Sequence, residues 1–149
     1  MIDQRLTPTT DAIADYTAKY RRPEFPPFEV SGLYDLFPAK PHTCATPPTH
    51  SWPVPYPFDQ RAGTYLIYSE SLELLYVGKA SMGSCIGKRL WTYFHYAADQ
   101  ECTLKHSTWT QPPRFLLIVA APEGMPFEAP ALEEFLIGRL QPSNNSVGR

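Results

Sequence analysis

Cysteine is scarce in this chain, and the scarcity is informative. Cys44, Cys85 and Cys102 are odd in number and widely spaced, which excludes a disulfide framework and points to a reducing compartment. His42, Cys44 and His50 in "HTCATPPTH" are residue types that zinc uses, but no second Cys or His pair completes four ligands, so the segment reads as a solvated loop. Long apolar runs are also missing. None approaches the ~20 residues needed to span a bilayer, and no signal-peptide pattern opens the chain, so a soluble, cytoplasmic protein is expected. Charge of one sign is lacking too: 13 Lys/Arg stand against 15 Asp/Glu, for a net charge of −2. The strongly basic footprint of many nucleic-acid binders is therefore absent, although a local basic surface remains open. Residues 61–114 carry six cations (Arg61, Lys79, Lys88, Arg89, Lys105 and Arg114) against four anions.

Proline is abundant and uneven. Eleven of the 17 prolines fall in residues 1–60 and six in the rest. Because proline fixes φ and removes a backbone donor, the first sixty residues cannot be mostly helix or central strand. At 149 residues, with 43% hydrophobic content, the chain can bury one core. The expected division is a helix plus proline-rich arm over 1–60 and a compact body over 61–149. Within the arm, "TDAIADYTAKYRR" predicts a helix over 10–22, capped by Thr10 or Asp11 and ended by Pro23. Residues 23–58 read as extended, with turns at "PAKPH" and "TPPTH". They hold Phe25, Phe28, Tyr34, Phe37, Trp52, Tyr56 and Phe58, too many aromatics for a disordered linker, so the arm is expected to wrap the body.

In the body, "TYLIY" (64–68) and "ELLYV" (73–77) predict a hairpin. A helix is expected over 84–98, a buried central strand in "PRFLLIVA" (113–120), and a helix in "APALEEFLIGRL" (129–140) stopped by Pro142. The order β-β-α-β-α implies an α/β (α+β) fold, with a small antiparallel or mixed three-stranded sheet flanked by helices and a proline-rich N-terminal arm.

The residues that carry chemistry are polar ones at apolar positions. On the last helix, Leu132, Phe135, Leu136, Ile137 and Leu140 define a broad arc at 100° per residue, and Glu133 falls inside it while Glu134 faces water. Arg139 also falls within the arc. A carboxylate there is costly unless paired, hydrogen-bonded or bound to a metal. On the helix at 84–98, Ile86, Leu90, Phe94 and Ala97 form a stripe joined by Tyr93. Arg89 flanks that stripe, and Lys88 and His95 face solvent. Arg89 and Glu133 either close a structural ion pair or share a cleft, and the sequence leaves both open. Tyr65 and Tyr76 lie on the hairpin strands, where aromatics usually pack. Lys79 follows Gly78, whose lack of a side chain lets backbone approach a ligand.

Taken in order, "GTYLIY", "LYVGKA", "IGKRL..YF" and "EEFLI..LQP..N" resemble the GIY-YIG nuclease family across residues 63–145. Gly63, Thr64 and Tyr65 stand for its GIY, and Tyr76, Val77 and Gly78 for its YIG. Lys79 matches the basic residue that often follows, Arg89 the helix arginine on which activity depends, and Tyr93 the hydroxyl one turn later. Glu133 matches the metal-binding glutamate and Asn145 the asparagine that closes the motif. Thr64 replaces the usual aliphatic residue, and the loop between Gly78 and Arg89 is longer than in the simplest members. The ending "SNNSVGR" resembles restriction-type members.

The resemblance implies a metal-dependent endonuclease. Glu133 would hold one Mg²⁺ or Mn²⁺, which prefers oxygen ligands, and Arg89 would stabilise charge on the phosphate. Tyr65 would act as general base or orient the water; its free pKa near 10 would have to be lowered by Lys79 or the metal. Tyr76 and Tyr93 would bind phosphate and shape the cleft. Gly78, Lys88, His95 and Asn145 are candidate substrate contacts, with Asn145 also a brace. DNA is the favoured substrate over RNA, and a palindromic target would imply a homodimer. An RNA-cleaving or antibacterial effector nuclease and an inactive nucleic-acid-binding domain are the alternatives.

Overall fold

A computed structural model describes residues 4–38, 40–41, 50–51, 58–96, 102–105 and 108–145. After a 3₁₀ turn at Gln4–Leu6 come α1 (Thr7–Tyr20), β1 (Glu29–Val30), β2 (Tyr34–Asp35) and β3 (His50–Ser51). The body follows with β4 (Gly63–Ser69), β5 (Leu74–Ala80), α2 (Ile86–Trp91), β6 (Phe94–Tyr96), β7 (Cys102–Leu104), β8 (Pro113–Ala120) and α3 (Glu128–Leu140).

The β8 sequence has no polar alternation, because both of its faces are covered and both of its edges are paired. All eight residues are buried. One edge pairs antiparallel with β4, and the other pairs antiparallel with β1 and β2. The sheet order is β3-β2-β8-β4-β5, with β1 also on β8, and the β2–β3 pairing is parallel. Six strands thus share the sheet where three were expected. The additions are two-residue strands, too short and too proline-flanked to stand out from the sequence. Segments 42–49 and 52–57, including the His42/Cys44 loop, Trp52 and Tyr56, lie outside the described residues.

Period-2 alternation in β4 and β5 divides the side chains between two layers. Leu66, Tyr68 and Val77, with Phe115, Leu117 and Val119 of β8, face α1 and α3. Tyr65, Ile67, Leu116 and Ile118 face α2, where Ile86 and Leu90 meet Tyr34, Leu36 and Phe94. Helix α1 begins three residues earlier than expected, with Pro8 in its first turn and no side-chain cap. Helix α3 starts at Glu128 and closes at Gln141, which adopts φ 51° and donates its N–H to Ile137 O before Pro142.

The expected helix over 84–98 is corrected. It ends at Trp91, and residues 94–96 pair antiparallel with 102–104 as a separate two-stranded hairpin. Phe94 still reaches the core at the stripe position the helix would have given it. Helical and strand backbones therefore bury the same residue, and the hairpin pairing together with the Lys105 N–H bond to Tyr93 O (3.0 Å) decides between them. Ala97 lies outside the described residues.

Two buried ion pairs fasten the amino-terminal segments. Arg114 on β8 meets both carboxylate oxygens of Asp35 (2.8 and 3.0 Å) and also donates to Lys40 O (2.6 Å). Arg21 grips Glu128 at the start of α3 (2.7 Å) and donates to Pro26 O (2.6 Å). Arg139, whose position blurred the apolar arc of α3, pairs at the surface with Asp15 of α1 (2.8 Å). Among the described residues no helix is long and apolar enough to cross a membrane.

Candidate active site

The site forms at the open edge of the sheet. Strand β5 is the last strand, and an edge strand exposes unpaired backbone groups that need cover. The segment after α3 supplies that cover for its first half. Asn144 N–H donates to Leu75 O (2.7 Å). Asn145 then accepts from Val77 N–H through Oδ1 (2.8 Å) and donates to Val77 O through Nδ2 (2.9 Å). Asn145 is buried and spends its side-chain amide on the Val77 peptide, which makes it a brace for this edge. Among the described residues no backbone pairs with this edge beyond Val77. The cleft begins there.

On the α2 side of β5, three tyrosines meet. Tyr65 is fully buried and lies across the strand from Gly78. A Cβ on Gly78 would sit 2.5 Å from the Tyr65 ring, so the glycine is required by the aromatic beside it, not by a ligand. The Tyr65 hydroxyl donates to Tyr93 (3.4 Å), which donates to Tyr76 (3.3 Å). The three ring centroids lie 5.7–6.3 Å apart. Trp109 packs edge-on against Tyr76 at 6.2 Å and also contacts Tyr93. Its sequence context, "STWTQPP", gave no signal for this place, which depends on the turn into β8.

Arg89 is carried to the cluster by a helix whose start is anchored from outside. Ile86 N–H donates to Arg61 O (2.9 Å) and Gly87 N–H to Asp59 O (2.7 Å), satisfying donors that a helix start leaves free. On the other side of β5, Lys79 and the α3 residue Glu133 approach the same edge. Lys79, Ala80, Ser81, Ser84, Arg89 and Glu133 line a polar cleft of about 290 Å³. Ser81 and Ser84 had not been singled out; as small hydroxyl residues in a loop they carry no sequence signal. The expected alternative of an Arg89–Glu133 structural pair is not what forms, since no described residue makes an ion pair with either. Lys79 Nζ instead donates weakly to Ser81 Oγ (3.4 Å).

Electrostatics follow from this arrangement. Burial, and then the neighbouring Tyr93 and Tyr76, push the Tyr65 hydroxyl well above its usual range, with Arg89 pulling the other way. Tyr76 is raised by burial, Tyr93 and Glu133. In the protein alone burial outweighs the pull of Arg89, so any lowering of the Tyr65 pKa would have to come from the metal. Burial also raises Glu133, against the opposing pull of Lys79 and Arg89.

Lys88 and His95 do not line this cleft. Lys88 is exposed on α2. His95 stacks on Trp91 with centroids 4.2 Å apart, and partial burial with nearby Lys105 lowers its pKa. The basic excess counted over 61–114 is likewise smaller in space, because Arg61 and Arg114 are engaged by Glu29 and Asp35.

Comparison with protein-family models, with curated proteins and with solved structures finds no match to this chain.

Proposed function

We propose that the chain is an endonuclease that hydrolyses phosphodiester bonds in nucleic acid, with DNA preferred to RNA. One observation carries this reading. Arg89, Lys79 and Glu133 arrive from three separate elements to line one small polar cleft, none of them in an ion pair, beside a row of tyrosine hydroxyls. Two cations and one carboxylate that form no ion pair, with Lys79 and Arg89 meeting only the hydroxyls of Ser81 and Tyr65 among the described residues, suit an anionic ligand that brings a cation with it.

The donor set fits Mg²⁺ or Mn²⁺. Glu133 is a half-buried carboxylate in a cleft of hydroxyls, and among the described residues no three His, Cys, Asp or Glu gather into a protein-only metal cage. Glu133 would hold the ion through oxygen, with water and phosphate oxygens as its other ligands. When bound, the ion supplies Lewis-acid charge and a more acidic water.

The protein groups do the rest. Arg89 binds the phosphate and meets the negative charge that grows on its oxygens as water attacks phosphorus and releases its proton to solvent. Lys79 holds the same group from the α3 side of the strand. Tyr76, whose hydroxyl accepts from Tyr93, donates a hydrogen bond, and the two rings exclude bulk water. Tyr65 lies deeper and orients Tyr93 and Arg89, a role different from the base or water-orienting role expected for it. The departing alkoxide takes a proton that Lys79 or the Tyr76 hydroxyl can give.

The test incubates supercoiled plasmid DNA and a structured RNA with the protein in Mg²⁺, Mn²⁺ or EDTA. Metal-dependent DNA cutting is expected. Cutting of RNA alone would reassign the substrate, and no cutting under any condition would overturn the reading.

A further inference from the structure

The cleft at Glu133 is too small for a nucleotide chain. Its volume of about 290 Å³ takes a phosphodiester group and a few waters, below the ~300–1,000 Å³ of sites that enclose drug-sized ligands. A second cleft of about 510 Å³ adjoins it, and Ser84 lines both. This second cleft runs over the end of the sheet where β4 starts and β8 stops, between the loop after β5 and the loop before α3.

Its chemistry differs from that of the first. Ala62, Met82, Pro122 and Pro126 give it apolar walls. Its two charged lining residues are Arg61 and Glu123, and Arg61 is already bound to Glu29 (2.7 Å) and Ala121 O (2.6 Å). The lining therefore carries no excess positive charge and does not suit a second phosphate. Gly83 (φ 85°) and Gly124 (φ 78°), one in each loop, take backbone conformations that suit glycine, and each faces open space. Met82 stands at the rim, 76% exposed, as a soft apolar lip.

We propose that this cleft holds the nucleoside that flanks the scissile phosphate, its base between Met82 and the Pro122–Pro126 loop. The proposal rests on the phosphodiesterase reading and deepens it. A nucleobase is uncharged and offers flat faces that suit the apolar walls, and the shared Ser84 makes this cleft a neighbour of the phosphate cleft. The cleft thus supplies uniform binding of the strand, not transition-state stabilisation.

The experiment measures steady-state cutting of a fluorescent DNA oligonucleotide by the wild type, by Ala62→Phe, which fills the cleft, and by Met82→Ala, which removes its lip without touching the core. Binding of the same oligonucleotide to these variants in a Glu133→Gln background is followed by anisotropy. Ala62→Phe should raise KM and the dissociation constant by about tenfold or more, and Met82→Ala by a smaller factor, with kcat nearly unchanged. Should Ala62→Phe fail to fold, Met82→Ala alone carries the test. A wild type that cuts DNA while the folded variants keep their KM and affinity overturns the nucleoside cleft and leaves the nuclease reading standing. A wild type that neither cuts nor binds DNA removes both.

Discussion

The charges at the two buried ion pairs and the charges at the β5 edge obey opposite rules. Arg114 and Asp35 are both about as buried as core residues, at 4% and 3% side-chain exposure, and close a two-bond pair reinforced by backbone carbonyls. Arg21 and Glu128 do the same at the start of α3. Arg89, Lys79 and Glu133 lie near one another yet form no such pair. Arg89 is exposed and Lys79 and Glu133 are only half-buried, so water solvates them in place of an ion-pair partner and an incoming ligand can displace it. Burial disfavours the ionised form of Glu133 and raises its pKa, against the opposing pull of Lys79 and Arg89.

Substitutions sharpen this contrast. The largest effect belongs to the cleft: Arg89→Ala should lower the rate of DNA cutting by about 10²–10³-fold, or ~3–4 kcal/mol of barrier, while the unfolding midpoint barely moves. Kinetics beside a thermal melt check both halves, and an equally large fall in stability would return Arg89 to a structural role. Second is the converse experiment. Asp35→Ala strips Arg114 of its carboxylate and should cost about 3–5 kcal/mol of stability by urea unfolding, with activity per folded molecule preserved. A loss well below that range would mean that Glu70, at 4.0 Å, and the carbonyls of Lys40 and Pro41 suffice for Arg114.

Third, the tyrosine row predicts an alkaline weakness. Tyr65 and Tyr76 have folded pKa values raised above the unfolded value near 10. The folded state then retains protons that the unfolded state releases, so stability is full below about pH 10 and falls as pH rises beyond it. Tyr65→Phe should flatten that decline, and an unchanged slope would show that the hydroxyl is solvated. The smallest effect concerns Glu133. Its raised folded pKa makes the ionised form unfavourable to folding at pH 7 and the protonated form favourable at low pH. Glu133→Gln should therefore raise the unfolding midpoint near neutrality, with the gain fading under acid, whereas exposed Glu134→Gln should change little.

The sequence made the site more legible than the scaffold around it. The β4–β5 hairpin, β8 and α3 were readable from local pattern: unbroken burial in β4 and β8, near-alternation in β5 and helical spacing in α3. Helical phase separated Glu133 from Glu134 because a 100° step suffices to tell a boundary from an exposed face. What failed was decided at long range. Phe94 fits a helical stripe and a hairpin equally well until residues 102–104 pair with it. The short strands of the arm exist because β8 has a second edge. Gly78 is explained by a ring thirteen residues earlier in the chain, and Tyr65 became less acidic, not more, because burial cannot be read from a nearby lysine.

The most direct measurement compares supercoiled plasmid cleavage by the wild type and Glu133→Gln, in Mg²⁺ and in EDTA, with thermal unfolding of both proteins in the same buffer. Cutting confined to the wild type with Mg²⁺, by a variant no less stable than its parent, is the expected result: Glu133 is kept at a cost to stability because it serves the reaction. A variant that melts at the wild-type temperature or higher and still cuts at the wild-type rate would contradict it.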